Sequence, residues 1–207
     1  MPMKVYHKLK KQYLHKSWWP MQNGFVPQQL EVCIGAILTQ NTSWNSVEKA
    51  LSNMRKAGLT SAEKITKAKN LEKIIKPSGF YKQKSEYLKN LCRFIVDYGA
   101  ESFLKNVTRE ELLKINGIGK ETADSILLYA CGKPFFVVDA YTRRVFSRVG
   151  IIEKNAKYDE IKKFFESRLP KNANLYKEYH AMIVEHAKNI CKKEPLCEKC
   201  IFKCIKP

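Results

Sequence analysis

The sequence predicts an all-α protein, and three observations lead to this prediction. Apolar residues return at three- and four-residue intervals through most of the chain, as in 87–98 and 175–190. Signals that begin and end helices punctuate these stretches at helical lengths. No apolar alternation of period two persists beyond a few residues, and the run 135–138 is too short and isolated to build a sheet. We therefore expect about ten helices.

Helix boundaries can be assigned at several places along the chain. The patterns Thr60-x-x-Glu63 and Thr108-x-x-Glu111 are capping boxes, in which a hydroxyl and a carboxylate satisfy N–H groups at a helix start. The segment 32–38 is apolar on all sides, so its helix should lie at the centre of the fold. Glycines fall where four helices should end: Gly58, Gly99, Gly132 and Gly150.

Composition excludes two classes of protein. With 44% hydrophobic residues, the 207-residue chain can bury enough apolar surface to fold, which excludes wholesale disorder. The longest apolar runs, 33–38 and 126–131, are far shorter than the roughly 20 residues that a membrane span needs. The lysine-rich start is followed by no apolar stretch of the kind that a secretory signal requires. We expect a cytosolic, nucleoid-associated protein whose cysteines are thiols or metal ligands.

The charge of the chain indicates a polyanionic partner. Lys and Arg number 38 against 20 Asp and Glu, which gives a formal net charge of +18. So large a charge is costly through self-repulsion, and nucleic acid is the first candidate for its partner. Solubility is the alternative explanation, because most of the basic residues belong to ordinary solvated helix faces.

The segment 112–130 contains the most informative motif. A short helix should end at Ile115, a tight turn comes next at 116–119, and a second helix should run to Gly132. Glycines at 117 and 119 allow positive φ and close approach to a ligand, and the N–H groups that open the second helix suit a phosphate oxygen. This pattern predicts a helix-hairpin-helix that grips a DNA backbone without reading bases, and an ordinary αα-hairpin is the alternative. The expected DNA contacts are Gly117, Gly119, Lys120 and Thr122.

Asp139 comes after the hairpin, between the apolar run that ends at Val138 and the start of a helix. A lone Asp in this position is most often an N-cap. If it is shielded from water, its carboxylate can also stabilise the cationic sugar of a breaking N-glycosidic bond and orient a water molecule. Asp139 is therefore the candidate catalytic residue.

Together, the hairpin and Asp139 resemble the helix-hairpin-helix DNA glycosylase superfamily, and within it the endonuclease III group, over nearly the whole chain. The resemblance implies a monomer without an obligate protein partner that acts on damaged double-stranded DNA. It also implies that Gln40, beside Asn41, fills the gap left by an extruded base, and that the loop 79–82 lies on the phosphate side. We expect one helical lobe at 21–133, with the hairpin, and another at 1–20 plus 134–207.

Four cysteines close to the C-terminus predict a metal site. They have the spacing Cys191-x5-Cys197-x2-Cys200-x3-Cys204, which is too compact for a chance cluster. Zinc held by four thiolates is one interpretation. The resemblance to the endonuclease III group implies instead a [4Fe-4S] cluster, although both outer intervals are shorter here than in that group. We favour the cluster, because zinc sites usually come as two separated pairs of ligands.

One position bears on whether the enzyme also cleaves the strand. In the bifunctional relatives a lysine after the hairpin forms a Schiff base with the sugar, and the matching position here is Glu121. A carboxylate cannot form an imine. Lys120 is one residue early, about 100° away around the helix, and is better placed for a phosphate. We therefore predict a monofunctional enzyme. Glu121 can also have a structural role, because a negative charge in the first turn interacts favourably with the helix dipole.

Aromatic residues indicate the substrate class. Trp18, Trp19 and Pro20, together with Trp44, offer flat faces that attract a cationic alkylated purine, and with Glu121 they form the predicted base pocket. This set resembles the endonuclease III-like 3-methyladenine DNA glycosylases. The alternatives are a mismatch uracil or thymine glycosylase and an endonuclease III-like enzyme with lyase activity on oxidised pyrimidines. A DNA-binding module would not need Asp139, and a redox protein would not need the hairpin.

Overall fold

The computed structural model describes residues 1–13 and 22–202, and across these ranges the chain is helical. The only β pairing in the described part is one isolated bridge between Asn23 and Phe25. The all-α prediction is confirmed, with twelve α-helices in the described residues where about ten were expected. In chain order they are α1 Pro2–Gln12, α2 Gln29–Leu38, α3 Trp44–Lys56, α4 Ala62–Lys67, α5 Leu71–Ile74, α6 Tyr81–Tyr98, α7 Ala100–Asn106, α8 Arg109–Leu113, α9 Lys120–Ser125, α10 Ala140–Arg148, α11 Tyr158–Glu166 and α12 Ala173–Asn189.

The chain divides into two compact units. The central unit is Trp19–Cys131, and the terminal unit combines Met1–Trp18 with Gly132–Pro207. The central unit contains α2 to α9, of which α9 passes directly into the π-helical turn Ile126–Ala130. The terminal unit contains α1 and α10 to α12. No helix within the described ranges is long and apolar enough to cross a membrane.

Helix α2 forms the core of the central unit. Every residue from Leu30 to Leu38 is buried, as the apolar composition of this segment predicts. Around it pack α3, α6, α9 and the π-helical turn. Because α2 is fixed on all sides, the segment 39–43 that leaves its C-terminal end starts from a rigid position.

Aromatic rings form the core of the terminal unit. The rings of Phe136 and Phe165 stack at 4.3 Å, and Phe146 meets Phe165 edge to face at 4.7 Å. Tyr179 of α12 packs against all three rings, and its hydroxyl donates to the carbonyl of Pro2 in α1. These contacts hold the extended segment 133–139 and the start of α10 in place, which fixes the position of Asp139.

Most of the predicted helix boundaries are confirmed, but the predicted start of α4 is not. Thr108 and Glu111 form the expected capping box at α8. The expected glycine stops carry positive φ, for example +80° at Gly99, the C-cap of α6. At α4, however, the N-cap is Ser61 and not Thr60, and the Ser61 side chain accepts the N–H of Lys64. Two hydroxyl residues in succession offer alternative caps, and the helix uses the second one.

Candidate functional site

The hairpin of the central unit forms as predicted, except that its first helix ends at Leu113 rather than at Ile115 and that one glycine has a different conformation. Helix α8 ends at Leu113, the turn comes next, and α9 begins at Lys120. Gly117 has φ +95°, a backbone conformation that residues with a side chain rarely adopt. Gly119 does not share it: its φ is −86° and ψ 176°, so it is an extended N-cap of α9. The prediction of positive φ at Gly119 was wrong, because one left-handed residue suffices to turn the chain.

A close approach explains why residue 117 is glycine. A Cβ atom built on Gly117 would lie 2.1 Å from Cγ of the Tyr87 ring, which packs directly against the turn. Nothing lies within 4 Å of the corresponding position at Gly119. Gly119, Lys120 and Glu121 are all exposed at the N-terminal end of α9, where the positive end of the helix dipole and a lysine suit an anionic ligand.

Gln40 is attached to this hairpin. Its amide nitrogen donates to the carbonyl oxygen of Gly117 and to Oγ1 of Thr122, each at 3.0 Å. Thr122 is buried, so its side chain supports the turn from inside, and the DNA contact expected at this residue stays a prediction. Asn41 is exposed and has φ +51°. Gln40, the residue predicted to enter the duplex, therefore lies against the predicted phosphate-binding turn.

A second loop lies beside the segment 39–43. The hydroxyl of Thr42 donates to the carbonyl oxygen of Ser78, the last residue of a 3₁₀ helix. Gly79 and Phe80 come next with positive φ, and Phe80 is 66% exposed. The structure thus brings together three predicted DNA-contacting elements of the central unit: the hairpin, the segment 39–43 and the loop 79–82.

The predicted base pocket is described only in part. Trp18, Trp19 and Pro20 lie outside the described residues. Trp44 opens α3 and is half-buried, and its indole N–H donates to Glu48 Oε1 at 2.8 Å. This bond orients the indole ring relative to α3.

Asp139 is the N-cap of α10 in the terminal unit. One carboxylate oxygen accepts the N–H of Thr142 at 2.7 Å, and the other lies 3.4 Å from Nε2 of His180. The side chain is 14% exposed. Burial acts to raise the pKa of Asp139, but the His180 imidazole and the hydrogen bonds from Thr142 outweigh it, so this pKa lies below its usual value. The group is a shielded carboxylate that stays ionised, as charge stabilisation requires.

The segment before Asp139 is anchored at two backbone N–H groups. Phe136 donates its N–H to Glu166 Oε1 of α11 at 2.8 Å, and Val138 donates to the Tyr158 hydroxyl at 3.4 Å. These bonds satisfy donors that a short extended strand would otherwise leave unpaired. The carboxylate is therefore held from both sides along the chain.

The cysteine loop begins directly after α12. Cys191 and Cys200 are buried and Cys197 is half-buried, while Cys204 lies outside the described residues. Among the described residues, no three metal-binding side chains are gathered as a group. The thiol donors nevertheless fit a metal or iron–sulfur site in kind.

Neighbouring side chains surround the sulfur atoms. Arg148 of α10 donates to Cys191 Sγ at 3.6 Å. On the other side, His186 Nε2 lies 3.6 Å from Cys200 Sγ. Burial lowers the pKa of His186 to about 4, so its ring is neutral at pH 7.

Sequence reasoning missed two polar residues, His180 and Lys84. Each occupies a buried helix face: His180 stands four residues after Tyr176 in α12, and Lys84 four residues before Leu88 in α6. A titratable residue at an apolar position of a helical stripe was the available signal. Their partners could not be found in this way, because those lie in distant parts of the sequence.

Comparisons with known proteins agree with this geometry. The model of the HhH-GPD superfamily base excision DNA repair proteins matches residues 34–171. A candidate DNA repair glycosylase of Methanocaldococcus jannaschii is 50% identical over 98% of this chain and 94% of its own length. Endonuclease III of Thermotoga maritima is 34% identical over 83% of this chain and 79% of its own length.

Solved structures show the same architecture. The H. pylori 3-methyladenine DNA glycosylase bound to 1,N6-ethenoadenine is 34% identical, with a TM-score of 0.78 over 90% of this chain and 97% of that chain. A non-covalent endonuclease III–DNA complex has a TM-score of 0.80 over 98% of this chain and 93% of that one, at 21% identity. The predicted resemblance is confirmed, and the chain belongs to the HhH-GPD superfamily of base excision DNA repair proteins.

Proposed function

We propose that this protein is a monofunctional DNA glycosylase that hydrolyses the N-glycosidic bond of alkylated purines, such as 3-methyladenine, in duplex DNA. The observation that carries the proposal is the shielded, ionised carboxylate of Asp139 at the N-terminus of α10. The likeness to the H. pylori 3-methyladenine glycosylase, at 34% identity, supports this substrate class.

Asp139 supplies the charge that the reaction needs. As the base departs, the sugar develops positive charge, and a nearby carboxylate stabilises that charge more in the transition state than in the ground state. The same carboxylate orients the attacking water and accepts its proton. An alkylated purine already carries a positive charge and leaves readily, so the site needs little general acid.

Duplex binding falls to the central unit. The N-terminal end of α9 and the Lys120 side chain suit a phosphate, and nothing lies within 4 Å of the Cβ position at Gly119. Gln40, which is held next to this turn, is the candidate to fill the gap left by an extruded base. Trp44 contributes a flat face to the proposed pocket.

Glu121 bears on the fate of the abasic product. It lies in the first turn of α9, where its negative charge interacts favourably with the positive end of the helix dipole. A carboxylate cannot form the imine through which a lyase cleaves the strand, so the abasic product should remain intact after base release.

Defined duplexes test the proposal directly. Each carries one lesion: 3-methyladenine, 1,N6-ethenoadenine, a uracil or thymine mispair, or an oxidised pyrimidine. We expect fastest release of the alkylated purines, strand breaks only after alkali, and no adduct trapped by borohydride. Borohydride trapping of the wild-type protein on any lesion would overturn the monofunctional assignment.

The second candidate is an endonuclease III-like glycosylase with lyase activity, or a mismatch uracil or thymine glycosylase. It is favoured by the 34% identity to endonuclease III of Thermotoga maritima over most of both chains. Fastest release of oxidised pyrimidines with spontaneous strand cleavage would establish the first form. Fastest release of mispaired uracil or thymine would establish the second.

We further propose that Cys191, Cys197, Cys200 and Cys204 bind a [4Fe-4S] cluster, which when bound would cross-link the C-terminal loop. The thiol donors and the guanidinium of Arg148 beside Cys191 support this assignment. The purified protein should be brown and carry about four irons per chain. A colourless protein with one zinc would establish the zinc alternative, and a full-strength cluster in Cys204→Ala would exclude Cys204 as a ligand.

A further inference from the structure

Lys84 is a buried cation at the centre of the loop region. It lies on the apolar face of α6 and is only 2% exposed. Its ammonium donates to three oxygens: the carbonyl of Leu38 at 2.8 Å, Oγ1 of Thr42 at 2.9 Å and the carbonyl of Ser78 at 2.8 Å. The three protons of an ammonium group match these three acceptors in number.

All three acceptors are neutral, so hydrogen bonds alone must offset the burial of this charge. Taking an ammonium out of water costs several kcal/mol, and a buried lysine is normally paired with a carboxylate. Burial lowers the pKa of Lys84 to about 8, which is the effect expected without a compensating negative charge. An apolar residue at this position would avoid the cost, so the three bonds need an explanation beyond packing.

Each of the three acceptors lies in, or directly before, an element that is predicted to meet DNA. Leu38 ends α2 two residues before Gln40, and Thr42 stands two residues after Gln40. Ser78 directly precedes Gly79 in the neighbouring loop. Lys84 thus joins both ends of the Gln40 segment to the second loop.

The network extends from there to the hairpin. Gln40 donates to Gly117 and Thr122, so the segment 39–43 is bound on one side by Lys84 and on the other by the hairpin turn. The side chains of Lys84 and Gln40 together connect all three loops. Their relative positions decide whether they can contact one bent duplex at the same time.

We propose that Lys84 is a positioning residue for damaged-duplex recognition: its ammonium fixes the segment 39–43 against Ser78, which directly precedes the loop 79–82, and so places Gln40 and Asn41 for entry into the duplex. The role in duplex recognition rests on the proposed function, whereas the positioning of the loops by Lys84 does not. Lys84 is buried and contacts no DNA itself.

Two substitutions of Lys84 separate positioning from packing. Lys84→Met keeps a long, flexible apolar stem and removes all three donors. Lys84→Gln keeps two donors on a shorter stem and serves where the Met variant folds poorly. The control is Ile65→Ala, because Ile65 is fully buried in α4, which packs on α6, and its loss destabilises the same unit.

The main measurement is the affinity of each full-length variant for a duplex with an abasic-site analogue, relative to the undamaged duplex. It is made well below the melting temperature of every variant. We expect Lys84→Met to lose about tenfold of this preference, Lys84→Gln to lose less, and Ile65→Ala to stay within about twofold of wild type. Unchanged preference in Lys84→Met, or an equal loss in Ile65→Ala, would overturn the proposal.

Amide hydrogen exchange without DNA tests the same inference apart from the proposed function. In Lys84→Met, exchange at 39–43 and 76–80 should rise by about tenfold or more while that of α4 stays unchanged. Uniformly faster exchange throughout the central unit would overturn the positioning role. If wild type shows no preference for the abasic analogue, the proposed function fails, and the exchange pattern still decides whether Lys84 positions the loops.

Discussion

The carboxylate site of the terminal unit and the loop region of the central unit are held by different kinds of contact. The Asp139 side chain is bound to its own helix through the N–H of Thr142, three residues away, and among the described residues it also lies beside the distant His180. In the loop region, Lys84 bonds to Leu38 across 46 residues and Gln40 to Thr122 across 82. A local cap forms with its helix, whereas the long-range bonds form only once the unit has folded. We therefore expect that substitutions at the carboxylate site can reduce activity without reducing stability. In the loop region, a substitution should reduce stability and DNA binding together.

Asp139→Asn should have the largest effect, and it tests most directly whether the carboxylate site can lose activity while keeping its structure. Asn caps a helix about as well as Asp, so the melting temperature should change little. The charge needed in the transition state is lost, so single-turnover base release should fall on the order of 10³-fold while damaged-duplex affinity stays within a few fold.

Asp139→Ala is the matched control. It removes the cap as well as the charge, so it should lose the same activity and in addition about 1 kcal/mol of unfolding free energy. Base release by Asp139→Asn at a rate near that of wild type would remove Asp139 from the chemistry.

Two nearby glycines test the rigidity of the hairpin. At Gly117, alanine would strain a residue with φ +95° and place its Cβ inside the Tyr87 ring, so Gly117→Ala should cost about 2–4 kcal/mol of stability and weaken duplex binding. Gly119→Ala meets neither obstacle and should stay within about 0.5 kcal/mol of wild type by urea unfolding. Equal losses at the two positions would show that the turn is not held by the Tyr87 contact.

Where structure depends on neighbours in sequence, it could be predicted. The capping box at Thr108, the burial of α2 and the helix start at Asp139 all depend on residues within one or two turns of the chain. A cap or an apolar stripe is determined by residues at fixed short intervals, which can be recognised in the sequence. The hairpin, which is local as well, was identified for the same reason.

Where structure depends on distant partners, it could not be predicted. The burial of Thr122 under Gln40 and the three acceptors of Lys84 are tertiary contacts that no local pattern specifies. The conformation of Gly119 was missed for a different reason, since the sequence of the turn does not say which glycine turns the chain. The hairpin was therefore predictable as an element, and its attachment to Gln40 was not.

Lys84 gives the loop region a pH dependence that the carboxylate site lacks in the alkaline range. Its folded-state pKa of about 8 lies below the unfolded value of 10.5, so the unfolded chain binds more protons between these values. Stability must then rise with pH across this window, and the contribution of Lys84 should grow by about 1.5 kcal/mol between pH 8 and pH 9.5. The difference in unfolding free energy between wild type and Lys84→Met, measured in urea at both pH values, isolates this contribution. A difference that is independent of pH would contradict it.

The smallest effect is expected at His180, the distant partner that lies beside the carboxylate. Among the causes that lower the pKa of Asp139 the imidazole comes first, and it opposes the rise that burial would produce. In His180→Phe the burial remains and the opposing group is lost, so the pKa of Asp139 should rise and the acid limb of base release should move to higher pH. Near pH 7 the carboxylate is still ionised, and the single-turnover rate should change by only a few fold. His180→Gln retains a donor and should restore part of the wild-type profile, while Asp139→Asn should lack the limb altogether. An acid limb that stays in place in His180→Phe would mean that the carboxylate site depends on its local cap alone.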